Sequence, residues 1–306
     1  WFPEAVLAKF GWLVSEIEQV GDQGIQELLL VLTSSLVRDV SQQEPKDLRI
    51  RRRKVPLLDA PVADLLRERV FYARKRLRRL AEVANWAPDP ALPPQVFLGD
   101  IRAMSAFEAN GIQRGKVDLI VTSPPYATAL PYIDTDRLSI LLLLGLTASA
   151  RQSIESNLIG SREIRTSRRA EIDQLIESGE WGEISSRTAR KTIAEVYERN
   201  RDADVGFRRK NTAALLYLYF SDMAKGIQNL NQMLRRGGNA FFVIGDNKTT
   251  AGTKELTIRS AKVLQELGTA SGWRLNDVIP ITVTKEDRLH TRNSITENDI
   301  IWFKAS

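Results

Sequence analysis

The chain has 306 residues, a net charge of +6 and a pI near 9.5, with no cysteine and one histidine, His290. Lacking cysteine, it has no disulfide, no thiolate metal site and no thiol nucleophile. With one histidine it cannot build a histidine zinc site, and a Ser-His-Asp triad is not expected; His290 reads as a solvated loop residue.

An apolar content of 43% supplies a substantial core, enough for one large domain or two modest ones. Arginine outnumbers lysine, 31 to 13. That balance favours a phosphate-bearing partner, because guanidinium forks match phosphate oxygens, although a GC-rich genome would produce the same bias. The longest apolar run, Leu138–Leu146, is interrupted by Ser139 and Gly145 and falls far short of the ~20 residues of a membrane-spanning helix. Trp1 opens the chain with no charged leader or cleavage site behind it. The expectation is a cytoplasmic protein with its natural start upstream of Trp1.

Residues 1–85 read as helical. Leu7, Phe10, Leu13, Ile17 and Val20 recur at three- and four-residue spacing, and Ile25–Val37 is apolar nearly all round, as in a helix buried between neighbours. Pro45 and Pro56 break the pattern around Arg51, Arg52, Arg53 and Lys54. A helix then spans about Val62–Val83 and carries Arg76 and Arg79 within a basic run. Residues 45–80 hold 13 basic and 4 acidic side chains. Two readings stand side by side: a solvated helix face with a loop, or a surface tracking a nucleic-acid backbone through Arg51, Arg52, Arg53, Lys54, Arg76 and Arg79.

Residues 86–95 form a proline-rich linker, and the pattern then turns from helical to alternating. Gln95–Asp100 reads as a short strand, 104–110 as a helix and Val117–Thr122 as an apolar strand. Such a strand–helix–strand unit belongs to a doubly wound α/β sheet, whose ligands sit at the carboxyl ends of the strands. Asp100 and Ser123 fall at two such ends. The second strand runs into Ser123-Pro124-Pro125-Tyr126. The two prolines fix φ and donate no N–H, so the carbonyls of Ser123 and Pro124 sit in a stiff turn as acceptors, and Tyr126 offers a flat stacking face.

A helix from about Pro131 through Leu146 follows, with Asp134 and Arg137 near its start. Residues 150–211 are polar, with 13 basic and 11 acidic side chains, and read as projecting helices, either a target-recognition insertion or a helical cap. An amphipathic helix over 213–236 stops at Gly237-Gly238. A buried strand 239–247, a helix 256–272 and two final strands, Leu275–Val283 and Asp299–Lys304, complete the chain. The domain division expected is 1–94 as a partly basic helical block, 95–126 with 213–306 as an α/β core, and 127–212 as an insertion.

The Thr122-Ser123-Pro124-Pro125-Tyr126 stretch resembles motif IV of the S-adenosylmethionine-dependent amino-methyltransferases of DNA, in the form found in members acting on the exocyclic amine of cytosine more than adenine. Gly99-Asp100-Ile101 is similar to the family segment whose carboxylate accepts from the cofactor's adenine amine. The resemblance implies a Rossmann-like class I methyltransferase sheet, S-adenosylmethionine as cofactor, and duplex DNA with a flipped target base as partner. It also implies Ser123, Pro124, Pro125 and Tyr126 as catalytic residues, with Asp100, Ile101 and Thr122 at the cofactor. No metal is expected. Amine methylation needs no covalent cysteine adduct, unlike methylation of cytosine carbon 5, and the missing cysteine fits that. The family's Phe-x-Gly-x-Gly loop and its acidic ribose ligand are not found: Gly21-Asp22-Gln23-Gly24 lies between helices rather than after a strand. A partial sheet without its first strands is therefore expected, its glycine loop lying in a removed segment or a second chain, or lost. The alternatives are an RNA base methyltransferase, or a non-catalytic nucleic-acid-binding subunit of a restriction or phage-defence system.

Overall fold

The computed structural model describes residues 1–45, 47, 51–83, 95–127, 132–282 and 297–306. The proline-rich linker 86–94 and His290 lie outside them. The chain divides into two units, one of Trp1–Val96 with Tyr132–Arg151, the other of Phe97–Pro131 with Gln152–Ser306. This division differs from the one expected. The helix after the Pro-Pro corner belongs to the first unit, and the polar stretch 152–212 belongs to the second.

The first unit contains α1 (Glu4–Glu18), α2 (Gln23–Leu36), α3 (Val62–Val83) and α5 (Tyr132–Leu144). Asp22 caps α2 by accepting from the Ile25 N–H at 2.9 Å, one of the donors a helix start leaves unpaired. The core face of α1 is Val6, Phe10, Leu13 and Ile17: the last three are as expected, while Val6 takes the place of Leu7, which is exposed. Nor is α2 buried all round: Ile25, Leu28 and Val31 are exposed, while Thr33 and Leu36 near its carboxyl end are buried. Val62 and Leu66 of α3 join the same core, together with Leu138 of α5.

The second unit is a mixed α/β layer structure. Its sheet has the order β1 (Val117–Thr122), β2 (Leu234–Ile244), β6 (Glu297–Ala305), β5 (Trp273–Thr282). Strands β1 and β2 are parallel; β6 is antiparallel to both β2 and β5. The two final strands expected are present and pair with each other, antiparallel. A hairpin, β3 (Asn247–Ala251) with β4 (Lys254–Ile258), was not anticipated; it occupies residues that read as the end of one strand and the start of a helix. Helices α10 (Thr212–Met233) and α11 (Ser260–Ala270) share the apolar core with the sheet, and α7 (Thr166–Ser178) and α8 (Arg187–Arg201) add to it. Shorter helices α4 (Met104–Ala109), α6 (Ala148–Asn157) and α9 (Phe207–Lys210) complete the order. Ile172, Ile176, Ile193 and Val196 are buried, so much of the polar stretch packs on the core rather than projecting from it.

The strand expected at Gln95–Asp100 does not form: the segment is irregular and exposed, with Val96 and Leu98 fully open. A strand needs a ladder partner for its N–H and C=O groups, and no described strand lies beside it. The same lack shows on the sheet. β1 is an edge strand, and its Leu119 and Val121 are 53% and 68% exposed. Parallel strands are ordinarily covered on both faces; Leu119 and Val121 share one face of β1, and that face is open.

At the other side of the sheet, Phe242, Trp273 and Phe303 pack ring to ring, with centroids 5.3–6.0 Å apart. Gly268 of α11 lets the helix approach: a β-carbon there would stand 2.6 Å from Phe303 Cζ. Phe303 is fully buried and has no room to swing away. Gly268→Ala is therefore expected to destabilise the chain by about 1–3 kcal/mol through overpacking, read as a lower urea midpoint. A gain in stability from the better helix propensity of alanine would contradict this packing.

Candidate active site

The corner Ser123–Tyr126 is latched on three sides within the second unit. Strand β1 brings it to the carboxyl end of the parallel pair, with Thr122 opposite Phe242. The Ser123 hydroxyl donates to the Val243 carbonyl at 3.1 Å. Its hydrogen is thereby spent and the oxygen lone pairs remain as acceptors. Pro124 is buried and Pro125 half-buried. From α10, Tyr219 donates its hydroxyl to the Pro125 carbonyl at 2.7 Å. Gly160, at φ +80°, closes over the turn; a β-carbon there would lie 3.5 Å from Pro125 Cβ and 3.8 Å from the Tyr219 ring.

Tyr126 is half-buried, and its hydroxyl donates to Asn298 Oδ1 at 3.2 Å while receiving a bond from the Gly245 backbone. Burial pushes its pKa up, so the phenol stays neutral and keeps donating. The carbonyl of the next residue, Ala127, accepts from Asn247 Nδ2. Asn247 Oδ1 is buried and has no hydrogen-bond partner. Beside it Asp246 accepts from the Ala261 N–H at the start of α11, and burial raises its pKa. The ends of β1, β2 and β6 thus converge on one ring and one turn.

Asp100 occupies an irregular segment rather than a strand end, and its carboxylate faces Arg102. The Arg102 Nε lies 2.9 and 3.0 Å from the two oxygens, Nη2 is 2.7 Å from Oδ2, and the Arg102 N–H bonds Oδ1 at 2.9 Å. The Arg102 hydrogen bonds hold the Asp100 pKa below its usual value. Arg102 also reaches Asp222 of α10 at 2.8 Å and the Asn157 carbonyl at 2.5 Å. Burial raises the Asp222 pKa, against the pull of Arg102. Ile101 packs where Gly226 leaves α10 bare, since a β-carbon at Gly226 would stand 2.7 Å from Ile101 Cδ1. Its carbonyl accepts from Asn229 at 2.9 Å. Tyr219 and Asp222 lie three residues apart on α10, about 4.5 Å of helix rise. One face of one helix therefore holds both the corner and the Asp100–Arg102 pair. Thr122 is half-buried at the end of β1.

The basic residues singled out in the first unit divide. Arg53 is turned inward, its Nε donating to the Ser41 carbonyl at 2.8 Å and its Nη2 to the Asp39 carbonyl; it holds a loop. Arg52 stacks over the Trp1 ring at 5.2 Å, and Arg51 lies 3.8 Å from Asp47. Lys54, Arg76 and Arg79 are exposed. Asp134 falls among the side chains not described, and Arg137 is half-buried on α5 of the first unit. Tyr219, Asp222, Asn247 and Asn298 were not recognised from sequence. Each lies roughly 90 or more residues from its partner at the site, and only the Asp246-Asn247 end of a strand gave a local signal.

Among the described residues, no group of three or more acidic or histidine side chains is arranged to hold a metal ion, and no helix is long and apolar enough to cross a membrane. No protein-family model and no curated protein matches the chain. Among solved structures, it is similar to TTHA0409 of Thermus thermophilus, a protein provisionally assigned as a DNA modification methylase, at 11% identity and a TM-score of 0.33 over 70% of this chain and 54% of the other. A second structure of TTHA0409, complexed with S-adenosyl-L-methionine, aligns at 14% identity and a TM-score of 0.32 over 68% of this chain and 54% of the other. The chain thus spans about half the length of the structures it matches.

The Asp100 contact has a measurable consequence. A carboxylate with a lowered folded-state pKa stabilises above its unfolded value of 3.8 and loses that contribution as pH falls through the folded value. Asp100→Asn should be less stable than the parent at pH 7 by no more than about 1 kcal/mol, since the pair is partly exposed and screened. The gap should close below pH 3.8. Urea midpoints of both proteins across pH 2–7 test this, and a gap that widens toward acid would exclude the assignment.

Proposed function

We propose that this chain is the catalytic portion of an S-adenosylmethionine-dependent DNA amino-methyltransferase, acting on the exocyclic amine of cytosine or, less in keeping with a serine at the corner, of adenine. One observation carries the reading: the Ser123–Tyr126 turn, fixed at the carboxyl end of β1 with acceptor oxygens and a pinned aromatic ring.

The target base is flipped from the duplex, at a cost of a few kcal/mol, and stacks on Tyr126. Ser123 Oγ and the Pro124 carbonyl accept from its amine. Those bonds draw the nitrogen lone pair out of conjugation with the ring and aim it at the methyl donor. Catalysis by these residues is positional and electrostatic and needs no covalent intermediate. Because Ser123 already spends its hydrogen on Val243, it acts toward the amine as an acceptor. S-adenosylmethionine supplies the methyl group. The described residues offer Asp100, Ile101 and Thr122 toward its adenine. Arg102 saturates the Asp100 oxygens, so the carboxylate must yield part of that contact to accept an amine.

The open edge of β1 supports a further element of the reading. β1 is the terminal strand, and its exposed Leu119 and Val121 share a face that crossover helices would cover. That fits a sheet continued by strands and helices from another segment or a second chain, which would carry the glycine-rich loop. Titration of this chain with S-adenosylmethionine is expected to show no micromolar binding. Micromolar affinity would remove the need for a completing segment.

The missing glycine loop favours a second reading, a non-catalytic nucleic-acid-binding subunit. Methyl transfer separates the two. In the completed protein, with duplex DNA and labelled S-adenosylmethionine, Ser123→Ala and Tyr126→Ala should each lower kcat at least 100-fold, in the range for loss of a transition-state contact, with thermal melts near the parent. Near-parental activity in both variants would refute the catalytic assignment, as would activity on transfer RNA in place of duplex DNA refute the substrate.

A further inference from the structure

We infer that the short helix Phe207–Lys210 is a nucleic-acid contact, in which Phe207 packs against a base step while Arg208, Arg209 and Lys210 bind the flanking phosphates of a duplex. The inference rests on the DNA reading above but uses none of the catalytic residues.

Phe207 is 70% exposed, more than any other described aromatic residue. The Arg208 guanidinium carbon lies 5.9 Å from its ring centroid. Arg208, Arg209 and Lys210 are all exposed, and among the described residues none of them forms an ion pair. The neighbouring Asp202 is taken by Arg201 at 3.3 Å. Three adjacent cations with no ion pair beside an open ring make a local positive surface with an apolar centre, the charge a phosphate backbone would meet.

The backbone beneath them is held. Asn200, 2% exposed, donates to the Arg209 carbonyl at 2.8 Å and accepts from the Gly252 N–H at 2.8 Å. Thr212 donates to the Arg208 carbonyl at 3.2 Å, and Arg169 reaches Asn211 Oδ1 at 3.4 Å. The ring and cations are thus presented on a fixed support, not on a fraying loop. That preorganisation lowers the ordering cost of binding.

Placement gives the partner. The Asn211 N–H bonds the Phe207 carbonyl and the Leu215 N–H bonds the Asn211 carbonyl, so α9 runs into α10 with helical bonding. Phe207 is therefore about 18 Å along the helix from Tyr219, which holds the corner. On duplex DNA that is about five base-pair steps, a distance at which the backbone beside a flipped base can be gripped. An exposed ring ahead of three cations is the combination used to wedge a base step while neutralising its phosphates.

Fluorescence anisotropy of this full chain on a mixed-sequence 30-base-pair duplex, across a salt series, tests the inference. The parent is expected to bind with a steep salt slope. Arg208→Ala, Arg209→Ala and Lys210→Ala together should lower that slope by about 0.9 per lost contact, and lysine at both arginine positions should restore it. Phe207→Ala should keep the slope and weaken binding about tenfold, while Phe207→Trp should hold the affinity. A triple variant with the parental slope would overturn the inference and leave the methyltransferase reading intact. So would polyglutamate displacing the duplex equally from the parent and from Phe207→Ala, which marks a general polyanion surface. A parent with no salt-dependent duplex binding would overturn the inference too, while the methyl-transfer assay in the completed protein decides the catalytic reading separately.

Discussion

The hydrogen bond from Tyr219 to the Pro125 carbonyl is the constraint on which the site depends. A Pro-Pro turn is stiff in φ but free to pivot as a body about its flanking residues, and it donates no N–H by which the sheet could hold it. The two prolines offer only acceptors, so a donor to them must come from elsewhere. Tyr219 comes from a helix anchored in the core: fourteen of the twenty-two residues of α10 are buried. The bond is thus worth more as a positional constraint than the ~1 kcal/mol a typical hydrogen bond contributes to stability.

From that bond the remaining geometry follows along one helix face. Asp222, one turn on, fixes Arg102, which in turn holds Asp100. Gly226, a further turn on, makes room for Ile101. The burial of Asp222 would be unfavourable alone, and its raised pKa records that cost; Arg102 offsets it from a partly exposed position. Helix, corner and carboxylate are thus coupled through fixed contacts rather than through loops, the arrangement expected of a site that works by orientation.

The parts legible in the sequence were those with local signals. The apolar run Val117–Thr122 and the helix Val62–Val83 have the bounds their patterns indicate, because periodicity and terminators act within a few residues. Gln95–Asp100 failed because a strand depends on its neighbour, and its composition cannot report an absent ladder. The inner face of α2 was misjudged for a related reason: Ile25, Leu28 and Val31 have the composition of buried residues, but coverage is a property of the whole unit. At the site, Ser123–Tyr126 was readable as a motif. Tyr219 and Asn298, ninety-four and one hundred and seventy-two residues from their partners, were not.

The edge of β1 links these observations. Its paired side is fully specified, with Leu119 to Thr122 opposite Asn239 to Phe242. Its other side has no strand partner among the described residues, and Leu119 and Val121, two residues apart on one face, are exposed. Natural edges are usually blunted by charge, proline or a bulge facing outward. Here Asp118 is engaged by Arg235 of β2 at 2.5 Å and guards only the start of the strand. β1 thus ends the sheet with an irregularity between Val117 and Leu119, one open apolar face, and a corner firmly held on its other sides.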